Sequence, residues 1–373
     1  MKNTSLHTFF IVLFSFTTLT NCGDDQPDPV ISVPTNLEVV IEVSELGNGF
    51  VTVEASATNA LTYEFLFEDD QESITNRIGE ASYTYSETGT YTLEVRAYGN
   101  GTEFISESND INIIVTFDTS KPPTTGYSTP ESYDGFTLVW SDEFEGNSLN
   151  SSNWKHEIGT GSNGWGNNEL QFYRSENTAV SDGSLTIEAK KETFSGSNYT
   201  SSRIVTQDKQ DFKYGRIDIR AALPYGKGIW PALWMLGANF PQVGWPKCGE
   251  IDIMEYLGQT PDEVFGTLHW ADDSGNRQCT CGDQNSYYSL SSGTFSDEWH
   301  VFSLIWTENR IEWLVDDNQF YAVDIIPGLE EFNESFFFIF NMAVGGDLPG
   351  SPDSQTPFPQ RLYVDYVRVF QPN

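Results

Sequence analysis

The segment Gly249-Glu250-Ile251-Asp252-Ile253-Met254-Glu255-Tyr256-Leu257-Gly258 sets three acids within six residues of an otherwise apolar run. Like charges on one face raise the pKa of at least one member, and acid–base chemistry near neutral pH needs such a shift. Glu250 and Asp252 are two residues apart and point the same way along a strand, whereas Glu255, five from Glu250, would point the opposite way. One extra residue, Ile253 or Met254, absorbed as a β-bulge returns Glu255 to the shared face. Two Glu carboxyls about 5–5.5 Å apart on one face would serve as nucleophile and general acid in cleavage of a glycoside with retention. The same charges would also suit an edge strand that resists aggregation.

Upstream, Gly228-Ile229-Trp230-Pro231-Ala232-Leu233-Trp234-Met235 holds two indoles four apart. Trp faces stack on the apolar faces of pyranose rings, although a single Trp is more often core. The elements that must position these groups read as strands. Leu185, Ile187 and Ala189 alternate, as do Ile217, Ile219 and Ala221, and Ile311, Trp313 and Val315. Asp316-Asp317 reads as a hairpin turn, Ile326 to Phe332 as one short helical turn. The run Leu362 to Phe370 is apolar on both faces, as a central strand between packed sheets requires. About 240 residues of strand suit a jelly-roll sandwich.

The whole chain has 373 residues, which suggests about two domains. Its 19 basic and 54 acidic residues leave a net charge of −35, a field that repels polyanions and excludes nucleic acid as a partner. Four Cys and four His are too few and too scattered for a zinc or iron–sulfur framework. All ten Trp lie at position 140 or later. The boundary falls in Ser120-Lys121-Pro122-Pro123-Thr124-Thr125-Gly126, read as part of a linker over 118–133. Before it, Tyr63, Phe65 and Phe67 alternate, as do Tyr91, Leu93 and Val95, which predicts a β-sandwich of about seven strands over 31–117.

At the N-terminus, Lys2 precedes an apolar run, Phe9 to Phe16, too short to span a membrane. Leu19-Thr20-Asn21-Cys22 resembles a bacterial lipobox. The resemblance implies a signal peptide over 1–21, a lipid on Cys22 and a tether over 22–30. Gly23-Asp24-Asp25 is similar to the acidic signal that sends some lipoproteins to the cell surface, so a surface-exposed outer-membrane lipoprotein is expected.

Two further resemblances organise the rest. Tyr63 to Asp70 and Tyr83 to Leu93 resemble the PKD domain, an immunoglobulin-like module that would serve as a spacer, with Phe67-Glu68-Asp69-Asp70 replacing its usual turn. Glu250-Ile251-Asp252-Ile253-Met254-Glu255 matches the Glu-x-Asp-x-x-Glu signature of glycoside hydrolase family 16, in the bulged form of laminarinases. Trp140-Ser141-Asp142-Glu143-Phe144, Trp165-Gly166-Asn167-Asn168-Glu169-Leu170-Gln171, the Trp230 motif, Gly266-Thr267-Leu268-His269-Trp270, Asn341 to Gly346 and Val364 to Val369 follow that pattern in order over 134–373.

The second resemblance implies an all-β chain: a concanavalin-like jelly roll preceded by the small immunoglobulin-like sandwich. It implies a monomeric, retaining endo-β-glucanase that cleaves internal 1,3-linkages of a β-glucan polysaccharide. Glu250 would be the nucleophile, Glu255 the acid/base and Asp252 a modulator. Trp230 and Trp234 would be sugar platforms, and Asn168, Glu169, Arg203 and His269 cleft contacts. No cofactor is expected for catalysis. A structural calcium is implied, with Glu143, Gly183 (through its carbonyl) and Asp365 at the matching positions. With Cys22 lipidated, Cys248 is expected to pair with Cys279 or Cys281. The alternatives are a mixed-linkage glucanase, a neutral-galactan hydrolase, or a glucan-binding protein without activity.

Overall fold

A computed structural model describes residues 33–43, 49–67, 73–85, 88–114, 120–354 and 356–373. The segments expected to be a signal peptide and tether, Cys22, and the Glu68-Asp69-Asp70 part of the expected PKD-like turn lie outside these residues.

The two largest hydrophobic cores among the described residues share no residue. The first lies between a three-stranded sheet (Thr35–Val43, Phe50–Thr58, Glu80–Thr84) and a four-stranded one (Ile74–Asn76, Thr62–Phe67, Gly89–Tyr98, Phe104–Ile113). The strict alternation of Tyr63, Phe65 and Phe67 buries all three side chains, while Glu64 and Leu66 are partly exposed.

The second core lies between two eight-stranded sheets, which together form the jelly-roll sandwich. The back sheet is built around Gln360–Pro372, which pairs with Ser184–Ala189, Gly215–Ala222 and Phe136–Asp142. Leu362, Val364, Val367 and Val369 all enter this core, because a bulge at Asp365 shifts the alternation, and Tyr363 and Tyr366 on the other face are buried as well. Asp316 and Asp317 both take positive φ, 50° and 62°, and close the hairpin between Arg310–Val315 and Asn318–Asp324. The helical turn is a 3-10 turn at Glu330–Asn333, a few residues later than the sequence suggested.

The front sheet carries, in order, Arg277–Cys279, Glu263–Ala271, Glu250–Tyr256, Ile229–Gly237, Phe336–Val344, Arg203–Val205 and Lys155–His156. Alternation divides the Ile229–Gly237 strand cleanly. Ile229, Leu233 and Met235 enter the core, while Trp230, Ala232 and Trp234 face outward into a cleft.

Two expectations need correction. The stretch read as a linker is, over residues 120–133, laid on the back sheet as a strap. The Trp299 indole donates to the Pro123 carbonyl (2.6 Å), Arg220 Nε to the Tyr127 carbonyl (2.6 Å), and the Tyr133 hydroxyl to Asp218 (2.7 Å). Asp218 is fully buried, and Arg216 and Ser303 complete its shell.

Cys248 bonds neither partner: Cys279 and Cys281 bond each other, and Cys248 is a buried thiol packed with Leu236, Phe337 and Ile339. Strand order explains this. The Glu263–Ala271 strand lies between the strand that follows Cys248 and the one that ends at Cys279. Two strand spacings amount to about 9–10 Å, beyond the reach of a disulfide.

Candidate active site

The Glu250–Tyr256 strand would project Glu255 into the core if its alternation were regular. Its register breaks on both sides. Against Ile229–Gly237, Leu233 pairs with Met254 and Trp234 with Asp252, so Ile253 is the extra residue. Against Glu263–Ala271, Asp252 pairs with Thr267 and Glu255 with Phe265. Ile253 and Met254 therefore both pack inward, and Glu250, Asp252 and Glu255 all line the cleft. The bulge is braced from the back sheet: the Trp313 indole donates to the Asp252 carbonyl at 2.9 Å. Gly266 makes room for it, since a Cβ there would lie 2.5 Å from Trp313 Cδ1.

The cleft encloses about 390 Å³. Trp230 Nε1 donates to Glu255 Oε1 (3.2 Å) and Thr267 to Glu255 Oε2 (3.3 Å), so each oxygen of Glu255 has one donor. His269 Nε2 lies 3.5 Å from both Glu250 Oε1 and Asp252 Oδ2. Arg277 Nε donates to His269 Nδ1 at 3.2 Å, which leaves the ring hydrogen on Nε2, facing the two acids. Burial, then the Arg277 charge, pushes His269 down to about 4, so its ring is neutral at pH 7.

All three acids are raised. Burial is the largest cause for each, followed for Glu250 by repulsion from Glu255 and for Asp252 by repulsion from Glu250 and Glu255. Asp252 is held well above the carboxylate range, while the His269 Nε2–H that faces Glu250 favours its ionised form. They release protons as a set, so near neutral pH the cluster keeps at least one to give.

Further along the cleft, Arg203 is held by Glu157 and lies over the rings of Trp165 (4.5 Å) and Trp234 (4.9 Å). The Trp234 indole donates to Asn341 Oδ1 at 2.7 Å. Asn341 Nδ2 then meets the Tyr173 hydroxyl (3.1 Å), which donates to Glu169 (3.1 Å). Burial raises Glu169 above the usual carboxylate value.

The structure thus gathers Glu250, Asp252, Glu255, His269, Trp230, Trp234, Arg203 and Glu169 at one cleft. Asn168 turns away to Asp347 (2.9 Å), and Asn167 lines the cleft in its place. The cause is local: Trp165, Gly166 and Asn168 all have positive φ in the turn Gly164–Asn168, which reverses the side-chain order. Trp165, Trp245, Arg277 and Asn341 were missed as site residues, although Trp165 and Asn341 stand inside quoted motifs.

The calcium residues do not fit the ion as arranged. Both oxygens of Glu143 are held by Arg368, and Asp365 pairs with Arg220. Among the described residues no group of three His, Cys, Asp or Glu ligands includes either acid.

A jelly roll with paired, proton-holding carboxylates in an indole-walled cleft defines the glycosidase class. The chain belongs to glycoside hydrolase family 16. The family model "Glycosyl hydrolases family 16" matches residues 166–327. The chain is 41% identical over 249 residues to a beta-glucanase of Rhodothermus marinus, covering 63% of this chain and 85% of that one. It is 35% identical over 350 residues to glucan endo-1,3-beta-glucosidase A1 of Niallia circulans, covering 83% and 48%. The laminarinase catalytic domain of Thermotoga maritima superposes with a TM-score of 0.59 at 44% identity, covering 64% of this chain and all of that one. The chain spans only 34% and 48% of the length of two of its curated relatives, the clotting factor G alpha subunit of Tachypleus tridentatus and the Niallia circulans enzyme.

Proposed function

We propose that the protein is a retaining endo-β-glucanase that hydrolyses internal 1,3-β-glucosidic bonds of laminarin-type glucans. One observation carries this reading: the bulge at Ile253 that turns Glu250 and Glu255 onto the same cleft face. The relatives named as glucan endo-1,3-beta-glucosidase and laminarinase support the linkage.

In the first step Glu255 gives its proton to the glycosidic oxygen while Glu250 attacks the anomeric carbon and the leaving sugar departs. In the second, Glu255 takes a proton from water, which displaces Glu250 and restores the original anomer. Burial keeps the proton on Glu255 until it is needed. The Trp230 and Thr267 donors then stabilise the carboxylate that remains. The His269 Nε2–H faces Glu250 and steadies its charge during attack. Burial and repulsion from Glu250 and Glu255 favour the neutral form of Asp252, which limits the negative charge beside the nucleophile. Trp230 and Trp234 offer stacking faces along the path of the chain.

Purified full-length protein assayed on laminarin, lichenan and agarose tests the reading. Rapid release of laminarin oligosaccharides whose first anomer is β by NMR is expected. An α-anomer, or preference for agarose, would overturn it.

The same proposal includes a lipid on Cys22, an outer-membrane surface location, a PKD-like spacer over 31–117 and a monomeric state, supported by the sequence patterns alone. Cys22→Ala should move the protein from the membrane to the soluble fraction.

A further inference from the structure

Beside His269 stands a sulfur pair. Cys279 is directly opposite His269 on the neighbouring strand, and Cys281 follows two residues later. A ring nitrogen of His269 and the two sulfurs lie within 4.8 Å of one another. Arg277 occupies the same corner, donating from Nε to His269 Nδ1 and from Nη2 to Cys281 Sγ (3.4 Å). One buried imidazole thus has two acids at its Nε2 edge and two sulfurs beside it.

We propose that reduction of the Cys279–Cys281 disulfide converts this corner into a binding site for a thiophilic divalent cation of the zinc class, held by His269, Cys279 and Cys281, and that filling it switches off the adjoining cleft. A dithiol reductant supplies the two electrons and two protons. Its own two thiols close to a disulfide, the Cys279–Cys281 bond breaks, and each cysteine leaves as a thiol. The cation displaces both thiol protons to solvent and takes the two thiolates with the lone pair of His269 Nδ1, and a water fills the fourth position. Two thiolates, one imidazole and one water form a common tetrahedral zinc set.

The distances allow it. Zinc bonds of about 2.0–2.3 Å place neighbouring ligand atoms about 3.5–3.8 Å apart, so the corner tightens by roughly an ångström. The released sulfurs spread to the same spacing. Cys248 takes no part, because it is buried among Leu236, Phe337 and Ile339.

The link to the cleft is the imidazole. Nδ1 can accept either Arg277 or the cation, so binding expels the guanidinium and draws the ring toward the sulfurs. Nε2 then moves relative to Glu250 and Asp252, each now 3.5 Å away. The inhibition half of the proposal rests on the glucanase reading. The binding half does not.

The test uses the full chain carrying Cys22→Ser and Cys248→Ser, so that only the pair remains. It is treated with dithiothreitol or left oxidised, then desalted without air. Titration with Cd²⁺ should give a sulfur-to-metal charge-transfer band that saturates at one equivalent in the reduced protein and is absent from the oxidised one. Further Cys279→Ser or Cys281→Ser replacement should remove the band. Zn²⁺ should lower laminarin hydrolysis at least tenfold in the reduced protein only, with recovery on adding a chelator. No band after reduction, or a band that survives Cys279→Ser with Cys281→Ser, overturns the site. A saturable band with undiminished hydrolysis overturns the switch. Should the oxidised protein fail to cleave laminarin at all, the glucanase reading fails while the band still decides the metal site.

Discussion

Trp313→Phe tests whether the bulge is held in place from behind. The change removes the indole N–H that meets the Asp252 carbonyl at 2.9 Å, in a fully buried position. A buried carbonyl left without its donor costs about 1–3 kcal/mol. The smaller ring opens roughly 40 Å³, worth about 1 kcal/mol more. The total is about 2–4 kcal/mol, which lowers Tm by roughly 5–15 °C in a domain of this size. The kinetic consequence is more specific. The Asp252 carbonyl sits where the register slips, between the two glutamates, so its release lets Glu250 and Glu255 drift apart. A misplacement of about 1 Å costs about a hundredfold in rate, and kcat should fall at least tenfold. KM should change little, because Trp230 and Trp234 lie on another strand. The assay is steady-state hydrolysis of laminarin well below the new Tm, with circular dichroism to confirm the fold. A variant that melts early yet keeps kcat within twofold of wild type would refute the bracing argument and leave Trp313 as core alone. Gly266→Ala, which drives a methyl into the same indole, should reproduce the kinetic defect at an overpacking cost of about 1–3 kcal/mol.

Three other outcomes are expected. Glu250→Gln and Glu255→Gln should each lose about a thousandfold or more in kcat while oligosaccharide binding, read by calorimetry, survives. The three raised cleft acids hold more protons folded than unfolded from about pH 4 into the neutral range, so their contribution to stability falls as pH rises through it, opposed below about pH 6.5 by His269, which the fold keeps neutral. Asp252→Asn should therefore raise Tm over wild type at pH 8 and bring no such gain at pH 4, by differential scanning calorimetry. Tyr133→Phe removes the donor to Asp218 Oδ2 and should cost about 1–3 kcal/mol, seen as a lower urea midpoint with unchanged activity.

Much of this site was legible because strand periodicity is exact. The failure of Glu255 to match Glu250 in parity forced a bulge, and the structure places it at Ile253, one of the two residues the spacing left open. The Trp230 and Trp234 pair was readable for the same reason. Asn168 was misplaced because four positive-φ residues in its turn, Gly164, Trp165, Gly166 and Asn168, break the side-chain order, a backbone property that residue types only hint at. Cys248 was mispaired because sequence proximity to the acids says nothing of the intervening strand. Trp313 and Arg277 were out of reach for a different reason: one comes from the opposite sheet and the other from an edge strand, and neither carries a local pattern. The strap was hidden by its composition. Two prolines and polar residues cannot form a strand, but they can dock through their carbonyls, as Pro123 does on Trp299.

That strap has a bearing on how such chains recombine. Position 134 looks like the natural seam for gene fusion, since the first strand of the jelly roll begins at Phe136. A graft made there would strip Asp218 of Tyr133 and Trp299 of Pro123, and would hand the new partner a catalytic unit with an unroofed sheet. A seam just before residue 120 keeps that roof. It also delivers the incoming module to the back of the sandwich, away from the groove that must stay open to a long polymer. Module exchange at that seam can vary what precedes the enzyme without asking the active site to adapt.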